Sequence, residues 1–199
     1  MENIRQKYLL SIAEQFTRNG IKSVTMDDIS KNLSISKKTL YKYFKDKNDI
    51  VVTLMELETE MEKILMEETC CVSKNAIEET YAFSEIIIEK LKDLNPSVMS
   101  DLEQYHPTAW SVFIDHKRGY VYESIKNNLE RGLKEGLYRT NLNPNIVAKL
   151  YSEKIDMLFD TELFPEERYT FENVYSEMMK YHLKGIVSKE GLKYLKEKE

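Results

Sequence analysis

Residues 25–44 read TMDDISKNLSISKKTLYKYF, and the reading of the whole chain starts from them. Thr25 stands three residues before Asp28, a shortened form of the reciprocal cap that starts helices, and Ile29 and Leu33 supply the apolar stripe of one short helix. Ser34-Ile35-Ser36 interrupts that stripe. Ser36 can cap a second short helix, which turns Leu40 and Phe44 inward and leaves Lys37, Lys38, Thr39, Lys42 and Tyr43 on its front and outer side. The pattern predicts helix, three-residue turn and helix over a core of Ile29, Leu33, Ile35, Leu40 and Phe44. This is helix-turn-helix geometry.

Upstream, Ile4, Tyr8, Ile12 and Phe16 recur every four residues and predict a helix that Asn19-Gly20 stops. Downstream, Asp46 can cap a fourth helix of about 25 residues, with Ile50, Leu54, Leu57, Met61 and Ile64 as its stripe. Ile77 to Leu91 repeats the pattern until Asn95-Pro96, a short segment around Met99 and Leu102 ends at Pro107, and one long helix is expected from Thr108 to about Lys134, stopped by Gly136. Asn143-Pro144 opens the next helix, with Val147, Leu150, Tyr151, Ile155 and Leu158 inward. The last long helix runs from about Phe171 to Val187, with Val174, Tyr175, Met178, Tyr181 and His182 on one stripe, and residues 189–199 form a charged tail expected to fray.

Glycine and proline together number 10 of 199 residues, too few for the turns of a multi-stranded β fold, so the chain is expected to be all-α. No apolar run approaches a membrane span and MENIRQKYLLSIAEQF lacks a signal-peptide block, which predicts a soluble, cytoplasmic chain with no membrane partner. The net charge is −5, but residues 1–50 hold 10 Lys and Arg against 6 Asp and Glu, while the remainder hold 19 against 28. A basic head on an acidic body suggests that the head binds a polyanion.

The major groove of DNA admits one helix, and the exposed residue types fit what it offers: lysine for phosphate and guanine acceptors, threonine for base edges, tyrosine hydroxyl for phosphate. Thr25, Ile29-Ser30, Ser34-Ile35-Ser36, Thr39-Leu40-Tyr41, Tyr43-Phe44 and Lys47 also keep a familiar spacing. Over about residues 5–54 the chain resembles the tetracycline-repressor-like (TetR) family of bacterial transcriptional regulators. The resemblance implies that the third helix, capped by Ser36, enters the groove. It assigns Lys37, Lys38 and Thr39 as base readers, assisted by Tyr41, and Thr25, Lys42, Tyr43 and Lys47 as backbone anchors. Two positions depart from the family pattern. Ser34 replaces the usual turn glycine, at a cost of about 1 kcal/mol for a left-handed backbone, and Lys38 adds charge where many relatives have glycine.

The resemblance further implies a head at residues 1–46, with a long fourth helix leading into an effector-binding and dimerisation body at residues 47–199. A lone head makes few contacts, so a homodimer reading a palindromic operator in double-stranded DNA is expected, paired through the last two long helices. Met61, Tyr81, Met99, Tyr105, Trp110, Phe113 and Tyr120 are candidates to wall a pocket for an unidentified small apolar effector that releases a repressor; activation fits the same residues. No metal motif joins His106, His116 and His182, which are expected at the surface or at helix ends, and no phosphate loop or nucleophile signature appears. The chain is therefore expected to be neither an enzyme nor a binder of metal or cofactor. Cys70 and Cys71 are adjacent, which strains any disulfide between them. The alternative reading is a helical protein-interaction or ligand-carrier module with a degenerate head, supported by the acidic body and Ser34.

Overall fold

The first helix, α1 (Glu2–Asn19), stops where Gly20 takes a left-handed φ of 78° and returns its N–H to the Phe16 carbonyl at 2.9 Å. In this computed structural model, which describes residues 2–196, the chain continues through α2 (Met26–Asn32), α3 (Lys37–Leu40) and α4 (Lys47–Val72). The start of α4 is doubly tied: the Asp49 N–H donates to Asp46 Oδ1 and the Lys45 N–H to Asp49 Oδ2, both at 2.9 Å. There follow α5 (Ala76–Leu91), capped by Asn75, then α6 (Ser97–Tyr105) and α7 (Pro107–His116). A π-helical turn (Lys117–Val121) leads into α8 (Tyr122–Lys134), and α9 (Pro144–Lys154), capped by Asn143, runs into a 3₁₀ turn (Asp156–Phe159). The described chain ends with α10 (Phe171–Ile186) and α11 (Lys189–Lys196). No described helix is long and apolar enough to cross a membrane.

Two units divide these elements. The first holds the chain up to Met61 together with Asp93–Asp115. Its core gathers Ile12 and Phe16 of α1, Ile29 of α2, Leu40, Phe44, Ile50, and Leu102 and Ala109 from the later segment. Asn95 closes the end of α1, its backbone N–H bonding the Thr17 carbonyl at 2.7 Å and its side chain the Arg18 carbonyl at 3.2 Å. The second unit holds Glu62–Lys92 and the chain from His116 on. There Tyr138 lies against Gly132, where a Cβ would come within 2.1 Å of its ring, and its hydroxyl donates to Asn128 at 3.0 Å and to the Ala76 carbonyl at 3.2 Å.

Several expectations need correction. The single helix expected from Thr108 to Lys134 is split by the π-helical turn, where Lys117 is 1% exposed and pairs with the carboxylates of Asp156 and Glu153. Leu57, Met61 and Ile64 on α4, Leu150 on α9 and Tyr181 on α10 are exposed. Periodicity shows that residues share a face, but not that anything in the same chain covers it. In α10 the buried positions are Tyr175, Met179, Leu183 and Ile186. The tail forms α11, held by buried Leu195 and by Tyr194, whose hydroxyl donates to Glu78 at 2.6 Å; residues 197–199 of the expected tail lie outside the described residues. His106 and His116 do stand at helix ends, yet both are buried, bonded to Asn48 and Glu62.

His182 packs edge-on to Tyr151 at 4.7 Å, and burial, aided by the Lys154 charge, holds its pKa down at about 4 against an ordinary 6.5. The folded imidazole therefore stays neutral where the unfolded chain takes up a proton, and stability falls as pH drops from 6.5 toward 4. Urea unfolding at pH 7.5 and pH 5 should show the wild type losing about 2 kcal/mol more than His182→Gln over that interval.

Candidate nucleic-acid interface

The angle between α2 and α3 is set by three local devices. At the start of α2, the Asp28 N–H donates to Thr25 Oγ1 at 3.2 Å and the Thr25 N–H to Asp28 Oδ2 at 3.0 Å. Hydrogen bonds from Thr25, its hydroxyl first, hold the Asp28 pKa below the ordinary carboxylate value. Ser34 then turns the chain with a φ of 53°, the one left-handed non-glycine among the described residues, and the Ile35 N–H bonds back to the Ser30 carbonyl at 3.0 Å. Ser36 Oγ accepts from the Thr39 N–H at 3.0 Å and lies 2.8 Å from the Thr39 hydroxyl. Helix α3 itself ends at Leu40, sooner than the pattern suggests, and overlapping turns carry the chain to Phe44, whose N–H bonds the Leu40 carbonyl at 3.1 Å.

Leu40 and Phe44 are buried, and the opposite side is open: Ser36, Lys37, Lys38, Tyr41 and Lys42 are all exposed, as is Thr25. Lys37 is tied to Asp27 of α2 at 2.7 Å, a hydrogen-bonded pair that raises its pKa above the ordinary lysine value. Thr39 and Tyr43 are half-buried, the Tyr43 ring standing edge-on to Tyr8 with centroids 5.2 Å apart. Lys47 differs from the others. Its ammonium donates to the carbonyls of Ile21 and Lys22, at the start of the α1–α2 loop, and burial draws its pKa below the usual lysine value.

The pocket candidates fall into two groups. In the first unit, Met99 and Trp110 pack against the core, the Trp110 and Phe113 rings lie 5.2 Å apart, Met61 is 58% exposed, and the exposed Tyr105 takes the Lys22 ammonium on its hydroxyl at 2.7 Å. In the second, Tyr81 packs against the core, while Tyr120 stacks on His116 and its hydroxyl donates to Glu67 at 3.0 Å. Sequence reasoning passed over Asp101, a buried carboxylate that accepts the Lys22 N–H at 2.7 Å, and Asn95, read only as a helix stop. Neither partnership leaves a local sequence signal, since the bonded residues stand some eighty positions apart. No group of three or more potential metal ligands occurs among the described residues.

Residues 9–54 match the family model of bacterial regulatory proteins, tetR family. The chain resembles the TetR family. Among solved structures, a TetR-family transcriptional regulator from Agrobacterium tumefaciens is 15% identical with a TM-score of 0.76, over 94% of this chain and 99% of that one. A putative transcriptional regulator from Saccharomonospora viridis, in complex with choline, is 20% identical with a TM-score of 0.75, over 95% of this chain and 100% of that one. FadR from Bacillus subtilis, in complex with stearoyl-CoA, is 19% identical with a TM-score of 0.68, over 91% of this chain and 98% of that one. No curated protein matches the chain. The all-helical fold of TetR-family transcriptional regulators, with a helix-turn-helix head, is thus the fold of this protein.

Ser34 lets the turn chemistry of this TetR-like head be tested directly. Ser34→Gly removes the left-handed penalty, partly offset by a more flexible unfolded chain, and should raise stability by roughly 0.5–1 kcal/mol in thermal or urea unfolding.

Proposed function

We propose that this chain is a dimeric, ligand-responsive transcriptional regulator. Residues 1–46 bind a palindromic operator, residues 47–199 bind the effector and the second protomer, and a small apolar molecule releases the repressor from DNA. The observation that carries this reading is the face of α3 and the turns after it. Lys38, Tyr41 and Lys42 stand exposed with Lys37 and Ser36 above a buried Leu40 and Phe44, a cationic and hydroxyl-bearing surface one helix wide. Lys37, Lys38 and Thr39 read bases with help from Tyr41; Thr25, Lys42 and Tyr43 hold the backbone. Lys47 joins those anchors only by leaving the Ile21 and Lys22 carbonyls.

Dimerisation draws support from apolar side chains left uncovered on the last two long helices. Ile146 and Leu150 on α9 and Tyr181 on α10 are 55%, 57% and 72% exposed, and Gly185, one turn beyond Tyr181, faces open space where a second helix can approach. Burying one such large side chain is worth roughly 1.5–3 kcal/mol. Choline and stearoyl-CoA in two structural relatives support a small-molecule effector here. For the effector to weaken DNA binding a hundredfold, its preference for the released state must amount to about 2.7 kcal/mol.

A gel-shift assay with genomic fragments, including DNA upstream of the protein's own gene, tests the DNA reading; selective retention supports it, and retention of no fragment favours the carrier or interaction module instead. With a retained fragment, log affinity should fall with log salt at a slope of about −7 for roughly eight phosphates. Lys42→Ala should weaken all sequences alike, whereas Lys38→Ala and Thr39→Ala should also relax base preference; identical behaviour overturns the division into readers and anchors. In sedimentation, Leu150→Asp and Tyr181→Asp should each raise the dimer dissociation constant by about 30-fold or more.

A further inference from the structure

Cys70 and Cys71 are neighbours, both exposed and both free, in the last turn of α4, which ends at Val72. The proposed DNA contacts do not include them. Consecutive residues of a helix project about 100° apart, and a disulfide demands a close, fixed Cβ geometry, so the pair does not close on itself while the turn is intact. Zinc is a poor match as well. It takes four ligands, and no third His, Cys, Asp or Glu among the described residues is placed to complete a site.

Two adjacent thiols with no further ligand suit a trivalent, thiophilic centre that takes two sulfurs and keeps its own third substituent. The environment narrows the chemistry further. Burial and the nearby Glu79 carboxylate raise the Cys70 thiol above its ordinary pKa. That slows reactions of Cys70 through its free thiolate, so uptake rests on the two adjacent sulfurs acting together on one centre and not on the reactivity of either thiol alone.

The turn is also held in a way that couples it to α5 and α8. Arg131 of α8 donates to the Cys70 carbonyl at 3.4 Å and the Ser73 carbonyl at 2.8 Å, and pairs with Glu79 at 2.9 Å and Glu135 at 2.8 Å. Glu135 in turn accepts the Ala76 N–H at 2.8 Å, at the start of α5. Bringing the two sulfurs together opens the last turn of α4 and strains this clamp.

We propose that Cys70 and Cys71 form a bidentate site for trivalent arsenicals. With an organoarsine oxide, the two Sγ–H protons pass to the oxygen, two As–S bonds replace the As=O bond, and one water leaves. Arsenic remains trivalent throughout, and no oxidant or reductant takes part.

The test titrates the full-length chain, fully reduced, with phenylarsine oxide and follows intact mass and free thiols. The expected result is one arsenical per chain with both thiols lost, released by a small dithiol but not by a monothiol. Cys70→Ser and Cys71→Ser should each bind roughly 100-fold more weakly, because the second thiol acts intramolecularly. The Ser73 N–H, bonded to the Thr69 carbonyl at 3.1 Å, should exchange faster in the wild-type adduct. Two arsenicals per chain, unchanged affinity in either variant, or no uptake would overturn the site; unchanged exchange in a tight adduct would overturn its coupling to the turn.

Discussion

The whole proposed recognition surface depends on a helix too short to exist alone. Helix α3 spans four residues, far below the length at which a helix is stable in water, so its shape is imposed from beneath. Leu40 is fully buried and Phe44 nearly so, in a core shared with Ile12, Phe16, Ile29 and Ile50. Arg5 adds to this support, its guanidinium lying over the Phe44 ring at 5.3 Å. With its inner side fixed, α3 can leave Lys37 and Lys38 in water, and the turns after it Tyr41 and Lys42, where their charge and hydroxyl remain available.

Local chemistry carried the reading of the head and most helix boundaries. Thr25 with Asp28, Ser36 and Asn143 cap helices as side chains within a few residues of their partners, and Gly20 and Gly136 end helices through their own backbone freedom. These are interactions a sequence spells out in order. What stayed hidden is what depends on remote partners. The burial of His106 is matched by Asn48, that of His116 by Glu62 and that of Lys117 by Asp156, none of them near in the chain. Likewise Leu150 and Tyr181 lie at helical spacing with inward residues, and only coordinates reveal that they are left uncovered. The candidate pocket was least legible, because methionine and aromatic side chains look the same whether they fill a core or wall a cavity.

The second unit keeps its ionic groups inside by pairing them. Lys117 has almost no contact with solvent and is flanked by two carboxylates, and one Asp156 oxygen is buried without a hydrogen-bond partner. A buried charge that loses its counter-ion destabilises strongly, whereas an apolar replacement of the whole pair need not. Such a pair fixes geometry more than it adds stability, and here it locates the π-helical turn relative to the 3₁₀ turn after α9.

The first unit is not contiguous in the chain. Leu102 and Ala109 complete its core, and Asn95 and Asp101 close the end of α1 and the loop beyond it, yet roughly thirty residues of the other unit intervene. During synthesis the amino-terminal helices thus emerge from the ribosome before the segment that finishes them. They must wait, partly assembled, through the translation of α5, so the completion of the first unit is timed by the arrival of a stretch far along the chain.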